Sequence, residues 1–562
     1  MDGQSSPSPS PDTVFLEACD IYFRHCHNKP YGFFNATLFH QKVQNDQVPL
    51  HLRLALIASA TRYSSRAQWM EKKQSTIDSY ARCSWDLITT STTPLDESDD
   101  VDIIQSLAIL AVIDATAGRR RNAWVKIGMS VRIAQDLNMM LEPTSNLPEL
   151  ERDERRNLFW SLYLLDRFVC CSFGRPPAIN DSDCLLNLPT HYRAGKRLPS
   201  ISLSELFNER IRGILPRSGM FGISIGLAAC LGRTTKYMMG KSDATSPWTS
   251  HSEYCAIYRD LEYLKELAVK NGPVLAAQLE GQHRRQSDTP SPDREQIAHM
   301  VLSHTIYHLA HCILSHPFLI GLKVDSDRRS DMPSTWLEET RKRSLAHAES
   351  LIAVLIEAKA AGYMPVPSVY SYCMLLASTI HALFLYIGDS SVCHSSAEYL
   401  KTSLEYLADM SELWDNAQIM ANALKSFIVQ CPRYSDILLR TGPRVSEFTQ
   451  NELAILRSVL DYWSMMDPRN PVFEGPSSVT CQLADIRGMS LSPLSSLTRS
   501  QTPLSPAKDD TLGVSTSSFE HKESDVDSDI LISYPLSVMS PMGSDDESSK
   551  WDWDSELDYF KS

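Results

Sequence analysis

Two runs in the middle of the sequence decide the fold: residues 118–143, GRRRNAWVKIGMSVRIAQDLNMMLEP, and residues 154–189, ERRNLFWSLYLLDRFVCCSFGRPPAINDSDCLLNLP. In the first run, apolar side chains recur at helical spacing, at Trp124, Ile127, Val131 and Ala134. This period is typical of one buried face of a helix. A glycine inside a helix costs about 1 kcal/mol relative to alanine, so Gly128 predicts a close contact with a neighbouring helix.

The second run predicts a helix in the centre of a helical domain. Its apolar residues form two adjacent stripes, Leu158, Leu162, Leu165 and Val169 beside Phe159, Tyr163 and Cys170. A helix that is apolar on two sides is normally buried. The helix is expected to end at Gly174, because two prolines follow the glycine and cannot continue a helix.

Three charged residues lie in or next to this apolar helix: Asp166, Arg167 and Arg175. An unpaired buried charge is very costly, so charges in such a place should be paired. We therefore predict that the three side chains form one structural polar network at the end of the helix.

The two runs closely resemble the middle homology region of the fungal-specific transcription factor family, whose usual partner is an N-terminal binuclear zinc cluster. The matching residues are Gly118, Trp124, Gly128, Ala134, Leu137, Arg155, Arg156, Phe159, Trp160, Asp166, Arg167, Gly174, Arg175, Pro176 and Pro177. As structural or regulatory motif residues we select Arg119, Trp124, Gly128, Arg156, Trp160, Asp166, Arg167, Gly174, Arg175 and Pro176.

The resemblance implies a nuclear regulator whose helical domain restrains or relays activity, in some members in response to a metabolite. It also implies two kinds of partner: the transcription machinery or a coactivator, and a zinc-cluster factor with which the chain forms a homo- or heterodimer. The zinc cluster itself needs six cysteines in CxxC-type pairs, and these 562 residues contain no CxxC pair. We therefore expect no cofactor in this chain unless a zinc cluster is encoded upstream of it, and indirect contact with DNA.

The composition is that of a soluble protein with a large core, with 43% hydrophobic and 22% charged residues. Strand-like alternation is nearly absent, which predicts an all-α fold of stacked antiparallel helices. The net charge of −14 argues against non-specific nucleic-acid binding. The 13 cysteines lie among apolar residues, as expected of reduced thiols in an intracellular protein.

Helical patterns are predicted over most of the chain between residues 14 and 466. Asp99 is the expected N-cap of the helix at 101–116, and the segments 191–200 and 281–294 are expected to be loops. The predicted helices after the first cover residues 50–63, 69–88, 101–116, 204–239, 254–270, 296–312, 334–361, 369–387, 397–416, 417–428 and 447–466.

Four regions follow from composition. Residues 1–12 are rich in Ser and Pro and are predicted to be disordered. Residues 13–470 are predicted to form the helical domain, in which the family resemblance is most specific at 118–189. Residues 471–519 are a Ser/Thr/Pro-rich linker. Residues 520–562 hold twelve Asp and Glu against three Lys. Their end, KWDWDSELDYF, is typical of an acidic activation segment, in which the residues expected to contact a coactivator are Trp551, Trp553, Leu557, Tyr559 and Phe560.

Other chemistry is weakly indicated. His304, His308 and His311 share one helix face and could in principle bind zinc, but structural histidines are the favoured interpretation. The run 360–388 carries no charged residue, yet its Ser, Thr and His indicate a buried helix rather than a membrane span. The run Arg119–Arg121 is interpreted as a solvated cluster at a helix start. No GxSxG, HExxH, P-loop or GxGxxG motif occurs, so we predict no enzyme.

The sequence thus predicts a fungal regulator of RNA polymerase II transcription, acting on a metabolic or biosynthetic gene set, with the helical domain regulating the acidic segment. A second hypothesis is a co-regulator, or dominant-negative partner, of a zinc-cluster factor without DNA contact of its own. A third is a helical enzyme that lacks any recognised motif.

Overall fold

A computed structural model of the chain describes residues 11–465, apart from gaps at 67–71, 91–96, 190–191, 194–195, 198–199, 209–218, 241–244, 272–274, 276–277, 280–291, 325–329, 364–368, 388 and 441–442. The described residues lie within one compact unit, Met1–Thr480. The linker predicted at 471–519 and the acidic segment predicted at 520–562 lie outside them, as does the predicted disorder at 1–10.

The all-α fold is confirmed. The helices are α1 (Pro11–His25), α2 (Ala36–Gln44), α3 (Leu50–Thr61), α4 (Lys73–Thr90), α5 (Glu97–Thr116), α6 (Arg120–Asp136), α7 (Glu149–Val169), α8 (Leu203–Leu206), α9 (Met220–Met239), α10 (Glu253–Asn271), α11 (Pro292–Ser315), α12 (Pro317–Lys323), α13 (Ser334–Ala360), α14 (Val369–Phe384), α15 (Ser390–Ser411), α16 (Asp415–Ser435), α17 (Gln450–Leu460) and α18 (Tyr462–Met465).

Several predicted boundaries were wrong. The helix expected at 204–239 is two helices, α8 and α9, and α8 begins with a capping box in which Ser202 and Glu205 bind each other's backbone N–H. Helix α5 begins at Glu97, so Asp99 lies inside it rather than at its N-cap. Helices α1 and α11 begin at Pro11 and Pro292, inside segments predicted to be disordered or loop. The loop predicted at 191–200 contains a short antiparallel pair, β1 (Tyr192–Arg193) and β2 (Lys196–Arg197).

Neighbouring helices pack against each other in two groups, which are joined through α7. The most extensive contact of the first group joins α5 and α6, and that of the second joins α9 and α11. Helix α7 lies against both α6 and α9, and its residues from Leu158 to Val169 are all buried. Both predicted stripes of this helix are therefore confirmed as core, because neighbours cover it on more than one side.

The charge-free run at 360–388 contains α14, whose residues from Val369 to Phe384 are all buried among α13, α15 and α16. This agrees with the prediction of a buried helix. Within the described residues, none of the helices combines the length and apolar character that crossing a membrane requires.

Helix α6 differs from its prediction at two positions. Ile127, Val131 and Ala134 are buried as expected, but Trp124 is 46% exposed, because it lies at the edge of the covered face. The close helix contact predicted at Gly128 is also wrong, since a Cβ built there meets no atom within 4 Å. The absence of a side chain at this position is therefore not required by packing.

Replacing Gly128 with alanine should raise the free energy of unfolding by about 1 kcal/mol, because alanine restricts the unfolded chain and meets no obstacle here. Urea denaturation of the purified chain measures this change. Gly226 in α9 is a matched control, because its Cβ would lie 2.7 Å from Leu206 Cδ2. If Gly226→Ala stabilised the protein as much as Gly128→Ala, the packing argument would be wrong.

Candidate functional site

Asp166 and Arg167, near the end of α7, bind the chain that follows the two prolines. The Asp166 carboxylate accepts hydrogen bonds from the backbone N–H of Ala178 at 3.0 Å and of Ile179 at 3.2 Å. One Arg167 guanidinium nitrogen donates to the Ile179 carbonyl at 2.6 Å, and another to Asp166 at 3.1 Å. The two adjacent charges therefore neutralise each other and hold one loop.

Two further side chains, Asp181 and Tyr163, continue the Asp166–Arg167 network towards the protein surface. Arg167 also donates to Asp181 at 2.7 Å, and its guanidinium lies 4.2 Å from the centroid of the Tyr163 ring. The Tyr163 hydroxyl donates to the same Asp181 carboxylate at 2.6 Å. Burial raises the pKa of Asp166, whereas Arg167 and the two backbone N–H groups favour the charged carboxylate. The carboxylate thus depends on these partners for its charge.

Arg156 and Trp160 hold a second loop from the same helix. The buried Arg156 guanidinium donates to Glu142 at 2.8 Å and to Asp153 at 2.9 Å. Glu142 in turn accepts from the backbone N–H of Asn187 at 2.8 Å, and the Trp160 indole donates to the carbonyl of the same asparagine at 2.9 Å. Glu142 was missed by the sequence analysis, because it lies outside any recognised pattern.

Arg175 does not join the network predicted for it. Gly174 turns the chain with a φ of +79°, a left-handed conformation that favours glycine, and Pro176 follows on the surface. The Arg175 guanidinium then lies between two indole rings, 5.0 Å from the centroid of Trp124 and 4.9 Å from that of Trp463. The expectation of one three-charge group was wrong, because the turn carries Arg175 away from Asp166.

The last described helices close over this turn. The Trp463 indole donates to the Val169 carbonyl at 2.5 Å, and the Tyr462 N–H donates to the Cys171 carbonyl at 2.9 Å. Asp461 accepts the Phe173 N–H at 2.9 Å. These bonds satisfy backbone groups left open at the end of α7. Local sequence patterns could not reveal the contact, because its partners lie 294 positions apart.

Arg119 lies at a second feature, a cavity of about 480 Å³ lined by α4, α5 and α6. Its side chain binds Asp114 at 2.6 Å and Asp78 at 2.9 Å, so it is not the purely solvated residue that was expected. Lys126 binds the other Asp114 oxygen at 2.7 Å and lies 4.2 Å from the Trp85 ring centroid. We call this cavity the α4–α6 groove.

The histidine face of α11 packs against other side chains. The Nδ1 atoms of His308 and His347 lie 3.0 Å apart, and the rings of His311 and His347 stack at 4.0 Å. Burial lowers the pKa of all three, so these imidazoles are neutral at pH 7. Among the residues that the structure describes, no three His, Cys, Asp or Glu side chains are arranged to hold a metal ion.

His316 is the N-cap of α12 and shows how this region responds to acid. Its Nδ1 accepts the Phe318 N–H at 3.2 Å, so its Nε2 carries the proton that faces Thr379 at 3.1 Å. The side chain is fully buried, and burial lowers its pKa to about 3. In the unfolded state the ring binds a second proton near pH 6.5, whereas in the folded state Nδ1 is occupied by the Phe318 N–H. The stability that depends on neutral His316 is therefore lost as the pH falls below that value.

Between pH 7.5 and pH 5.0, the wild-type chain should therefore lose about 2 kcal/mol more stability than His316→Asn, whose side chain can cap the helix but does not titrate. Denaturation curves of both proteins at the two pH values measure the difference. Only the pH dependence is compared, because the substitution also changes packing. Parallel pH dependences would contradict the prediction.

The predicted activation residues Trp551, Trp553, Leu557, Tyr559 and Phe560 lie outside the described residues. Of the other selected residues, the structure brings together Asp166 with Arg167, Arg156 with Trp160, and Trp124 with Arg175, whereas Arg119 lies apart at the α4–α6 groove and Gly128 lies beside open space.

Relatives of this chain are fungal transcription regulators. The chain is 22% identical over 466 residues to the Zn(2)-C6 fungal-type transcription factor FTF1c of Fusarium oxysporum f. sp. lycopersici, covering 78% of this chain and 47% of that protein. It is 24% identical over 274 residues to the uncharacterized transcriptional regulatory protein C1327.01c of Schizosaccharomyces pombe, covering 43% of this chain and 27% of that protein. The chain thus spans half or less of the length of these curated relatives.

The family model described as the fungal specific transcription factor domain matches residues 19–255. The match contains α2 to α9, and with them the Asp166–Arg167 pair, the Gly174 turn and the α4–α6 groove. Its limits also include both runs from which the fold was predicted. Residues 19–255 therefore belong to the fungal specific transcription factor domain family.

Proposed function

We propose that this chain regulates RNA polymerase II transcription in the nucleus of a fungus, acting on a metabolic or biosynthetic gene set. In this proposal, the helical domain restrains the acidic segment at 520–562, which contacts a coactivator. The domain match and the relatives support the transcriptional part. The restraining role is supported by one observation, the contact of the Gly174–Arg175 turn with Trp463.

This contact is suitable for regulation because of where its two sides lie in the chain. Trp124, Gly174 and Arg175 belong to the matched domain, whereas Asp461–Trp463 are among the last described residues before the linker and the acidic segment. A change in the packing of α6 would reach Trp463 through Arg175, and a change in α7 would reach it through the Val169 carbonyl as well. A cation between two aromatic rings contributes about 1 kcal/mol per ring, enough to bias an equilibrium without fixing it.

The experiment fuses the whole chain to a heterologous DNA-binding domain and measures a reporter. We expect Arg175→Gln to raise reporter output from this fusion, because it loosens the contact at Trp463. The same output from Arg175→Gln and wild type would refute the restraint. Arg132→Gln is the matched control, since Arg132 is exposed on α6 and, among the residues that the structure describes, hydrogen-bonds only to Gln135.

For DNA, we propose that a zinc-cluster partner makes the contact. The 562 residues of this chain contain no CxxC pair and carry a net charge of −14, which opposes binding to a phosphate backbone. This also supports the second candidate, a co-regulator that acts by pairing with such a factor.

The purified chain alone should therefore bind duplex DNA weakly and without sequence preference. A mobility-shift assay at about 150 mM salt, the physiological ionic strength, with specific and scrambled duplexes measures this. A salt-resistant complex that forms with one sequence only would overturn the prediction. Addition of a zinc-cluster factor to the same assay tests whether the pair, rather than the chain, selects the site.

A further inference from the structure

The α4–α6 groove has the size of a small-molecule site. Its volume of about 480 Å³ lies within the range of roughly 300–1,000 Å³ that is typical of ligand pockets. It is larger than a bare inorganic ion needs. Its apolar lining comes from Ala81, Trp85, Leu110 and Val125. Val125 is 46% exposed in the structure, so it offers apolar surface that a ligand would cover.

The charges of the groove do not cancel. Its lining holds two carboxylates, Asp78 and Asp114, and both are occupied by Arg119 and Lys126 through three ion pairs. The lining also holds Arg82 and Arg121, which are exposed and have no carboxylate partner among the described residues. The ion pairs of Arg119 and Lys126 therefore neutralise both carboxylates, and the guanidinium groups of Arg82 and Arg121 give the groove its positive charge.

The start of α6 adds to this field. Helix α6 begins at Arg120, and its N-cap, Arg119, makes no side-chain capping bond. The first turn of α6, at the positive end of the helix dipole, borders the groove, because Arg121 and Asn122 contribute to its lining. An anion at this position gains from the helix as well as from the two arginines.

We propose that the α4–α6 groove binds a small organic anion, a carboxylic or phosphoric acid with an apolar body. The acid group would lie between Arg82 and Arg121, whose guanidinium groups can each bind a carboxylate or phosphate through two hydrogen bonds. The apolar body would lie on the exposed Val125 and the half-buried Ala81. This inference does not rest on the proposed transcriptional role, because binding is measured on the purified chain.

The test titrates the purified full chain with 1-naphthoate and 1-naphthyl phosphate by isothermal calorimetry. The uncharged analogue 1-naphthamide has the same apolar body and serves as the ligand control. We expect saturable binding at one site for at least one anion. 1-Naphthamide should bind on the order of tenfold or more weakly, because it lacks the charge-assisted bonds. Higher salt should weaken anion binding, since the arginines are exposed.

The decisive variant combines Arg82→Gln with Arg121→Gln and should weaken anion binding by about tenfold or more. It should keep the wild-type melting temperature, because neither side chain has an ion pair within the described chain. The control Arg132→Gln with Arg259→Gln removes the same charge from exposed positions outside the groove and should bind like wild type. Equal binding by the decisive variant, no binding of either anion at millimolar concentration, or displacement of the probe by short duplex DNA would each overturn the proposal.

Discussion

Replacing Asp166 with alanine should lower the free energy of unfolding by about 3–5 kcal/mol, the usual cost of removing one partner from a buried ion pair. The side chain is 2% exposed, and so is Arg167. Without the carboxylate, Arg167 keeps a buried charge with only Asp181 opposite it, at the surface. The N–H groups of Ala178 and Ile179 also lose their acceptor, which adds a desolvation cost.

Urea denaturation followed by circular dichroism measures this loss. Asp183→Ala is the matched control, because Asp183 is an exposed aspartate in the segment that follows and, within the described part of the chain, hydrogen-bonds only to Asn180 and Ser182. Asp166→Asn should fall between alanine and wild type, since its amide oxygen can still accept one backbone hydrogen bond. An unchanged midpoint for Asp166→Ala would show that the pair is dispensable.

The acidic segment should activate transcription by itself, and its aromatic residues should matter most. Fused to a heterologous DNA-binding domain, residues 520–562 are expected to drive a reporter, and the triple change Trp551→Ala, Trp553→Ala, Phe560→Ala should abolish most of the output. A coactivator groove gains about 25 cal/mol per Å² of apolar area that it buries, and these three rings carry the largest such area.

The carboxylates should be individually less important. Twelve acidic residues share the tasks of keeping the rings apart and steering the encounter, so Asp552→Asn should reduce output only slightly. Protein levels are compared by immunoblot, so that a loss of output is not a loss of protein. A triple variant as active as wild type would leave the segment only a solubilising role.

The spacing of apolar residues predicted the helices well, because the buried face of each helix appears as a repeat in that helix's own sequence. The stripes of α7 are an example, since burial on two sides leaves few polar positions and makes the pattern unambiguous. Boundaries were less accurate where a cap decides them. For example, α8 ends at Leu206, with Phe207 as its C-cap, whereas the apolar pattern predicted a helix that continues to residue 239.

The candidate site was predicted in part. Adjacent charges in an apolar helix indicated that Asp166 and Arg167 are paired, but not that their shared partner is the backbone after the prolines. Trp124 was assigned to a core face and Arg175 to a charge network, whereas Arg175 contacts the rings of both Trp124 and Trp463. Such a contact joins residues far apart in sequence, and only the folded chain places them together.

The closure by Asp461, Tyr462 and Trp463 also sets an order of events during synthesis. The ribosome makes the end of α7 long before it makes Trp463, since these partners are 294 positions apart. Until then the carbonyl groups of Val169 and Cys171 have no Trp463 or Tyr462 to bind. Contacts of such long range form late and slowly. A nascent or truncated chain that ends before residue 461 would thus lack the contacts that close this part of the domain.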